Sequence, residues 1–262
     1  MLRTIAITKL SIRSLSGSRC GSVGNLLQRP RINTNSLVSR RNLSMIKFRD
    51  TYESRNKILW GIMGANGVVF GLWFLSDNDR RLRYFLNKYF TISSYGFLQQ
   101  HLYLNALTSM FSHKDLMHFL VNMFVFHSFG GNVIHTVGTL KFLLIYFGGG
   151  VVSSLCQVLW PYVVPNSWPA KRSANPFTPS LGASGGVNAL LSWSIMIAPR
   201  AMIYFYGVLP IPAALFGIAF VGIDAYGLYF GDSGYGNAGH LGGAAFGIAS
   251  CLLLKRTIFR RF

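Results

Sequence analysis

The sequence predicts an all-α membrane protein built as a bundle of six transmembrane helices. Three observations predict it: an apolar composition, six apolar stretches of about spanning length, and strongly polar side chains gathered near the starts of the even-numbered stretches. Of 262 residues, 51% are hydrophobic and only 12% are charged, and the mean hydropathy is +0.36. That is too apolar and too poor in charge for an ordinary soluble domain.

The net charge of +18 invites a nucleic-acid partner, but 10 of the 25 Lys and Arg precede Asp50, in a segment with no acid at all. That segment is rich in Ser and lacks the continuous apolar run of a secretory signal, so it fits an organellar presequence of the mitochondrial type. The excess charge is therefore read as an address, and no nucleic acid is expected as a partner. Arg41-Asn42-Leu43-Ser44 resembles a mitochondrial processing site. The expected organisation is a presequence over 1–43, a juxtamembrane segment over 44–57, the six-helix domain over 58–254 and a basic tail over 255–262. A plastid address and a plain basic tail are the alternatives, and N-terminal sequencing of protein from its native membrane separates them. Cys20, Cys156 and Cys251 are too scattered for a disulfide framework or a metal motif.

A bilayer core takes about 20 apolar residues as helix. The first span is expected from Ile58 to Leu75, the second from Leu116 to Ile134, and the third from Leu140 to Trp160 across Gly148-Gly149-Gly150. The fourth, Gly182 to Ala198, is short; the fifth, Met202 to Ile223, carries Pro210 and Pro212; the sixth runs from Gly239 to Leu254. In the connection from Ser76 to Asp115, Arg80, Arg81, Arg83 and Lys88 alternate with Phe and Tyr, which suits an interfacial amphipathic helix better than a solvated loop. Six spans put both termini on one side. Arg200 and the basic tail join the basic N-terminus there, so the positive-inside rule makes it the inner side, the matrix in a mitochondrion.

Polar side chains within spans are costly and point to function. His118 and Asn122, four residues apart, share one face near the start of the second span. Gly182-Ala183-Ser184-Gly185-Gly186 opens the fourth, and Asn237-Ala238-Gly239-His240 opens the sixth. Even-numbered helices run the same way, so topology alone puts His118, Asn122, Ser184 and His240 at similar shallow depth, on the side opposite the termini. Serine needs an adjacent base to act as a nucleophile, and histidine titrates in the useful range. Ser184 and His240 suit those roles, while His118, Asn122 and backbone N–H groups beside Ser184 suit oxyanion stabilisation. Gly182, Gly185, Gly243 and Gly247 would let the helices pack closely around the site, Gly243 and Gly247 at the G-x-x-x-G spacing.

Taken singly, each feature has a plainer reading, since small residues line helix contacts and a lone His can bond a neighbouring helix. His127 is nine residues from His118, about 180° round the helix, and is read as structural or interfacial. His101, His113 and His135 fall in connections. Asp224 falls at the end of the fifth span, where a cap or loop role is expected. No well-placed acid completes a Ser-His-Asp triad, so the pair is read as a dyad, with Asp224 left as the one candidate acid worth testing.

At these residues the chain resembles the rhomboid family of intramembrane serine proteases. Gly182-Ala183-Ser184-Gly185 matches its G-x-S-G motif, Asn237-Ala238-Gly239-His240 with Gly243 and Gly247 resembles its sixth-helix histidine motif, and His118-Phe119-Leu120-Val121-Asn122 matches its H-x-x-x-N. The resemblance covers Ile58 to Leu254. It implies a rhomboid-like six-helix bundle with Ser184 and His240 as the catalytic pair, and His118, Asn122 and the Ser184 amide on the oxyanion. It implies no cofactor, cleavage of single-span or tail-anchored membrane proteins within or beside their anchor, and lateral substrate entry near the second and fifth helices. With an organellar address, it implies the mitochondrial inner membrane and a site open to the intermembrane space.

The chain departs from the family pattern at three places. Asn188 stands where many rhomboids have an aromatic ring stacked on the histidine. Tyr103 to Met110 lacks their Trp-Arg pair, and no further hydrophobic span precedes Ile58. Two other functions are open: an inactive relative that binds membrane clients, and a transporter whose His118, Asn122 and His240 line a polar path. The oligomeric state is not read from the sequence.

Overall fold

A computed structural model describes residues 50–172, 174–205, 209–231 and 236–258. The expected presequence, the processing site at Ser44 and the end of the basic tail lie outside them. Among the described residues the fold is mostly helical. Its helices are α1 (Tyr52–Leu75), α2 (Arg80–Tyr89), α3 (Ser94–Leu98), α4 (Asn105–Thr108), α5 (Leu116–Val137), α6 (Thr139–Val163), α7 (Ser184–Ile197), α8 (Ala213–Phe230) and α9 (Asn237–Ile258). Four of them, α1, α6, α8 and α9, are long and apolar enough to cross a membrane. The remaining two expected spans fall on α5, whose hydropathy is lowered by His118, Asn122, His127 and Asn132, and on α7. At 14 residues α7 is about 21 Å long, short of a bilayer core of about 30 Å.

α1 starts earlier than Ile58 because Thr51 and Ser54 form a reciprocal capping box. Its buried residues, Leu59, Ile62, Asn66, Val69 and Trp73, recur at alternating spacings of three and four and make one stripe. At the foot of α1, Asp50 accepts hydrogen bonds from Arg55 Nε (2.9 Å) and Thr139 Oγ1 (2.7 Å), while Arg55 also donates to the His135 carbonyl (3.3 Å). Three helix ends are thereby tied together, and the Arg55 guanidinium holds the Asp50 carboxyl far below the usual carboxylate range. His135 thus lies in the last turn of α5 rather than in a connection, stacked on Tyr52. His127 packs against Trp60 of α1, away from the site.

α7 is the centre of the bundle, packed on α9, α6 and α5. Lipid tails are as apolar as Leu, so close packing rather than transfer from water holds such helices together. Gly243 and Gly247 of α9 show it: a β-carbon on either would run into the carbonyl oxygens of Gly185 and Ala189 on α7. Around this contact Phe126, Phe142, Tyr146, Leu190 and Trp193 fill the core.

The fifth expected span is where the sequence reading fails. Met202 to Pro212 is not helical: β1 (Met202–Phe205) and β2 (Leu209–Pro212) form an antiparallel hairpin, with Met202 opposite Pro212 and Phe205 opposite Leu209. Pro210 and Pro212 have no N–H to donate to a helix, but are tolerated in a two-stranded ribbon. The helix that follows begins at Ala213 and reaches Phe230, well past Ile223. A small β element is therefore added to a fold expected to be all-α.

The connection between α1 and α5 is compact. Asp79 caps α2 by accepting from the Arg81 and Leu82 amides, and Leu86 of α2 packs on Val69 and Trp73 of α1. In the stretch lacking Trp-Arg, buried Asn105 donates to the carbonyls of Lys88 (2.8 Å) and Thr91 (2.7 Å). An amide side chain thus ties this connection to the end of α2. Ile92 and Ser180 exchange backbone hydrogen bonds at 2.8 and 2.7 Å, joining the connection to the segment entering α7.

Candidate active site

The entry to α7 is set by its backbone. Gly182 adopts φ +132°, a conformation that favours glycine, and a β-carbon there would press on the His118 ring at 2.9 Å. Its N–H donates to the Ser109 carbonyl (3.0 Å), and the Ala183 N–H donates to Nε2 of His113 (3.4 Å). His113 lies fully buried in the segment before α5, its ring 5.1 Å from that of His118. Burial pushes its pKa down to about 3, with the neighbouring His118 adding to the effect, so its ring stays neutral and can accept. Two groups from the connection before α5 therefore fix the residues that immediately precede Ser184.

Ser184 is the first residue of α7, and Ala183 at the cap position supplies no side-chain hydrogen bond. The first N–H groups of a helix have no partner within it, so donors are left at this end, where the helix dipole is positive. Ser184 Oγ lies 2.9 Å from Nε2 of His240, in the first turn of α9. The two glycine contacts between α7 and α9 set that distance by letting the backbones approach.

His118, Gly182, Gly185 and Gly243 lie around this pair. Gly182 and Gly185 flank Ser184, while Gly243 lies against Gly185 and Gly247 against Ala189. His118 is partly buried with its ring on Gly182. Asn122 is buried one turn further along α5, and its Nδ2 donates to the His118 carbonyl (2.8 Å), leaving one amide hydrogen uncommitted.

The support of the histidine differs from the expectation. Asn188 is buried four residues after the serine, and among the described residues its Nδ2 has no hydrogen-bond partner. His240 is instead flanked from α8. The Phe220 ring is roughly parallel to it at 6.4 Å, and Asp224 Oδ1 lies 2.9 Å from its Nδ1. Asp224 is neither a cap nor a loop residue. It sits inside α8, and with Ala213 and Gly227 it makes up all of that helix's buried residues. The expectation that no acid stands beside the histidine came from ending the fifth helix at Ile223. Once the hairpin displaces that helix along the chain, Phe220, Asp224 and Gly227 share one face at spacings of four and three. The available signal was a carboxylate inside an apolar run, in a chain with only 7 acidic residues. Among the described residues, no group of His, Cys, Asp and Glu is arranged to hold a metal ion.

Comparison with known proteins identifies the family. A family model for the rhomboid domain matches residues 100–257. RHOMBOID-like protein 12, mitochondrial, of Arabidopsis thaliana is 31% identical over 79% of this chain and 61% of its own length. Presenilin-associated rhomboid-like protein A, mitochondrial, of Danio rerio is 32% identical over 73% of this chain and 46% of its own length. Rhomboid protein 1, mitochondrial, of Saccharomyces cerevisiae is 28% identical over 73% and 51%. The chain spans about half to three fifths of the length of these relatives. With the rhomboid domain matched over more than half its length, this multi-pass helical membrane protein belongs to the rhomboid family.

Proposed function

We propose that this protein is an intramembrane serine endopeptidase that cleaves membrane-anchored proteins within or next to a transmembrane segment, with Ser184 as nucleophile and His240 as its base. The observation that carries the reading is the 2.9 Å separation of Ser184 Oγ and His240 Nε2, at the buried starts of two packed helices. The serine proton passes to Nε2 as Oγ bonds to the carbonyl carbon. The resulting oxyanion meets the free N–H groups at the start of α7 and donors from His118 and Asn122. Collapse breaks the C–N bond, and Nε2 returns the proton to the leaving amine. Water, activated by the same histidine, then releases the acyl group and regenerates the serine. No cofactor takes part.

In this reading α1, α5, α6, α7, α8 and α9 are the six membrane helices of residues 58–254, and the substrates are single-span or tail-anchored proteins reached through the bilayer. The mitochondrial relatives and the acid-free basic segment 1–43 support the mitochondrial inner membrane. The positive-inside rule then opens the site to the intermembrane space. Import into isolated mitochondria and plastids, followed by protease protection, tests the address and orientation. A serine-directed fluorophosphonate tests the chemistry. The expected result is a single adduct on Ser184, absent in Ser184→Ala and strongly slowed in His240→Ala. An unlabelled Ser184 in folded protein would leave the fold to a client-binding or transport role.

A further inference from the structure

His240 can serve as a base only if the nitrogen facing Ser184 carries a lone pair. An isolated imidazole has no such preference, because its proton exchanges between Nδ1 and Nε2 and only one tautomer is productive. Something must hold the proton on Nδ1. Asp224 is the group placed to do so: its Oδ1 is 2.9 Å from His240 Nδ1, its side chain is 8% exposed and that of His240 17%.

The cost of Asp224 supports the same conclusion. The rest of α8 is exposed or only half-buried, apart from Ala213 and Gly227, and Ile223, Tyr226 and Tyr229 near Asp224 are exposed. A carboxyl group inside a membrane helix is expensive unless it is paired. Among the described residues its Oδ2 is buried without a hydrogen-bond partner, so the interaction with His240 is the one there that compensates for its burial. Two further contacts along the same face fix the register: the Phe220 ring lies over His240 one turn before Asp224, and Gly227 sits against the Asn237 side chain one turn after it. Helix α8 thus meets the first turn of α9 through three successive positions, with the carboxyl at the middle one.

We propose that Asp224 is a positioning residue that completes a Ser184–His240–Asp224 relay. It holds the His240 proton on Nδ1, fixes the ring plane and stabilises the imidazolium that forms when the serine gives up its proton. No proton moves to Asp224 in any step; the Nδ1–H bond stays intact while Nε2 gains and returns the serine proton. The relay also couples α8 to the chemistry. A displacement of this peripheral helix would remove the carboxyl and leave the tautomer unspecified, so the site is complete only while α8 is seated against α9.

The inference rests on the protease reading, but its first test does not need turnover. In full-length protein labelled with ¹⁵N-histidine and held in bicelles, the His240 resonance, assigned by its loss in His240→Gln, is expected to show a protonated Nδ1 and a bare Nε2. In Asp224→Asn the two tautomers should mix. The kinetic arm uses a single-span reporter in liposomes: Asp224→Asn should lower kcat by roughly 100-fold with KM within about twofold. Asp224→Glu, which restores a carboxyl, should recover part of kcat, and Asp224→Ala none. A purely packing role would lower thermal stability and leave the tautomer unchanged. A wild-type His240 protonated on Nε2, a tautomer unchanged in Asp224→Asn, or undiminished kcat in that variant would overturn the proposal. Should Asp224→Asn not fold, the wild-type spectrum and Asp224→Glu decide it. Failure of the wild-type protein to cleave any reporter would count against the protease reading alone.

Discussion

Gly243 of α9 lies so close to the carbonyl oxygen of Gly185 on α7 that a β-carbon would overlap it. The residue after Ser184 and the one three positions after His240 are therefore in backbone contact, which sets the serine-to-histidine distance. Gly243→Ala should destabilise the folded protein by about 1–3 kcal/mol through overpacking, and lower activity by more than the unfolded fraction explains. Gly71 of α1, where an added β-carbon meets nothing within 4 Å, is the control. Gly71→Ala should be neutral or slightly stabilising. Melting in detergent alongside reporter cleavage compares the two.

The buried His113 makes stability depend on pH. Its pKa drops from 6.5 to about 3 on folding, chiefly by burial. Below 6.5 the unfolded chain binds a proton at this position and the folded chain does not, so its contribution to stability falls as pH drops from 6.5 toward about 3. His113→Gln should flatten that part of the melting-temperature profile while lowering stability at pH 7. Thermal melts at pH 7.5, 6 and 5 provide the comparison.

His118 lies against Gly182 just before α7, whereas Asn122, one turn further along α5, already spends one amide hydrogen on the His118 carbonyl. Removing an oxyanion donor typically lowers kcat by about 10²–10³-fold with little change in KM. His118→Ala and Asn122→Ala are expected to do so, and each to a smaller extent than Ser184→Ala. Steady-state kinetics on a reconstituted reporter separates kcat from KM.

Asn105 takes over the bracing role in a connection without Trp-Arg. Asn105→Leu leaves the Lys88 and Thr91 carbonyls without this donor and should cost about 1–3 kcal/mol. Limited proteolysis should show faster cutting between α2 and α3, and Asn105→Gln should restore little because its amide sits one methylene too far out.

Much of the candidate site was legible because polar side chains are costly in a membrane. Ser184, His240, His118 and Asn122 stood out as polar groups near the starts of apolar runs, and the small-residue spacing at Gly243 and Gly247 indicated where two helices approach. Asp224 was misread because hydropathy does not separate a β-hairpin from a helix in Met202–Pro212. Pro210 and Pro212, which have no N–H to donate to a helix, are the available signal. Once the helix start moves to Ala213, the carboxyl moves from a loop to the interior. The roles of His113, read only as a connection residue, and of Ser109 have a different source: they depend on the path of a loop, which no periodicity encodes.

The central claim, hydrolysis by Ser184 with His240 as base, is tested most directly in liposomes holding the purified protein and a single-span reporter. The expected result is two fragments cut within or beside the reporter's membrane segment by the wild-type protein, and none from folded Ser184→Ala or His240→Ala. Equal processing by all three proteins would contradict it.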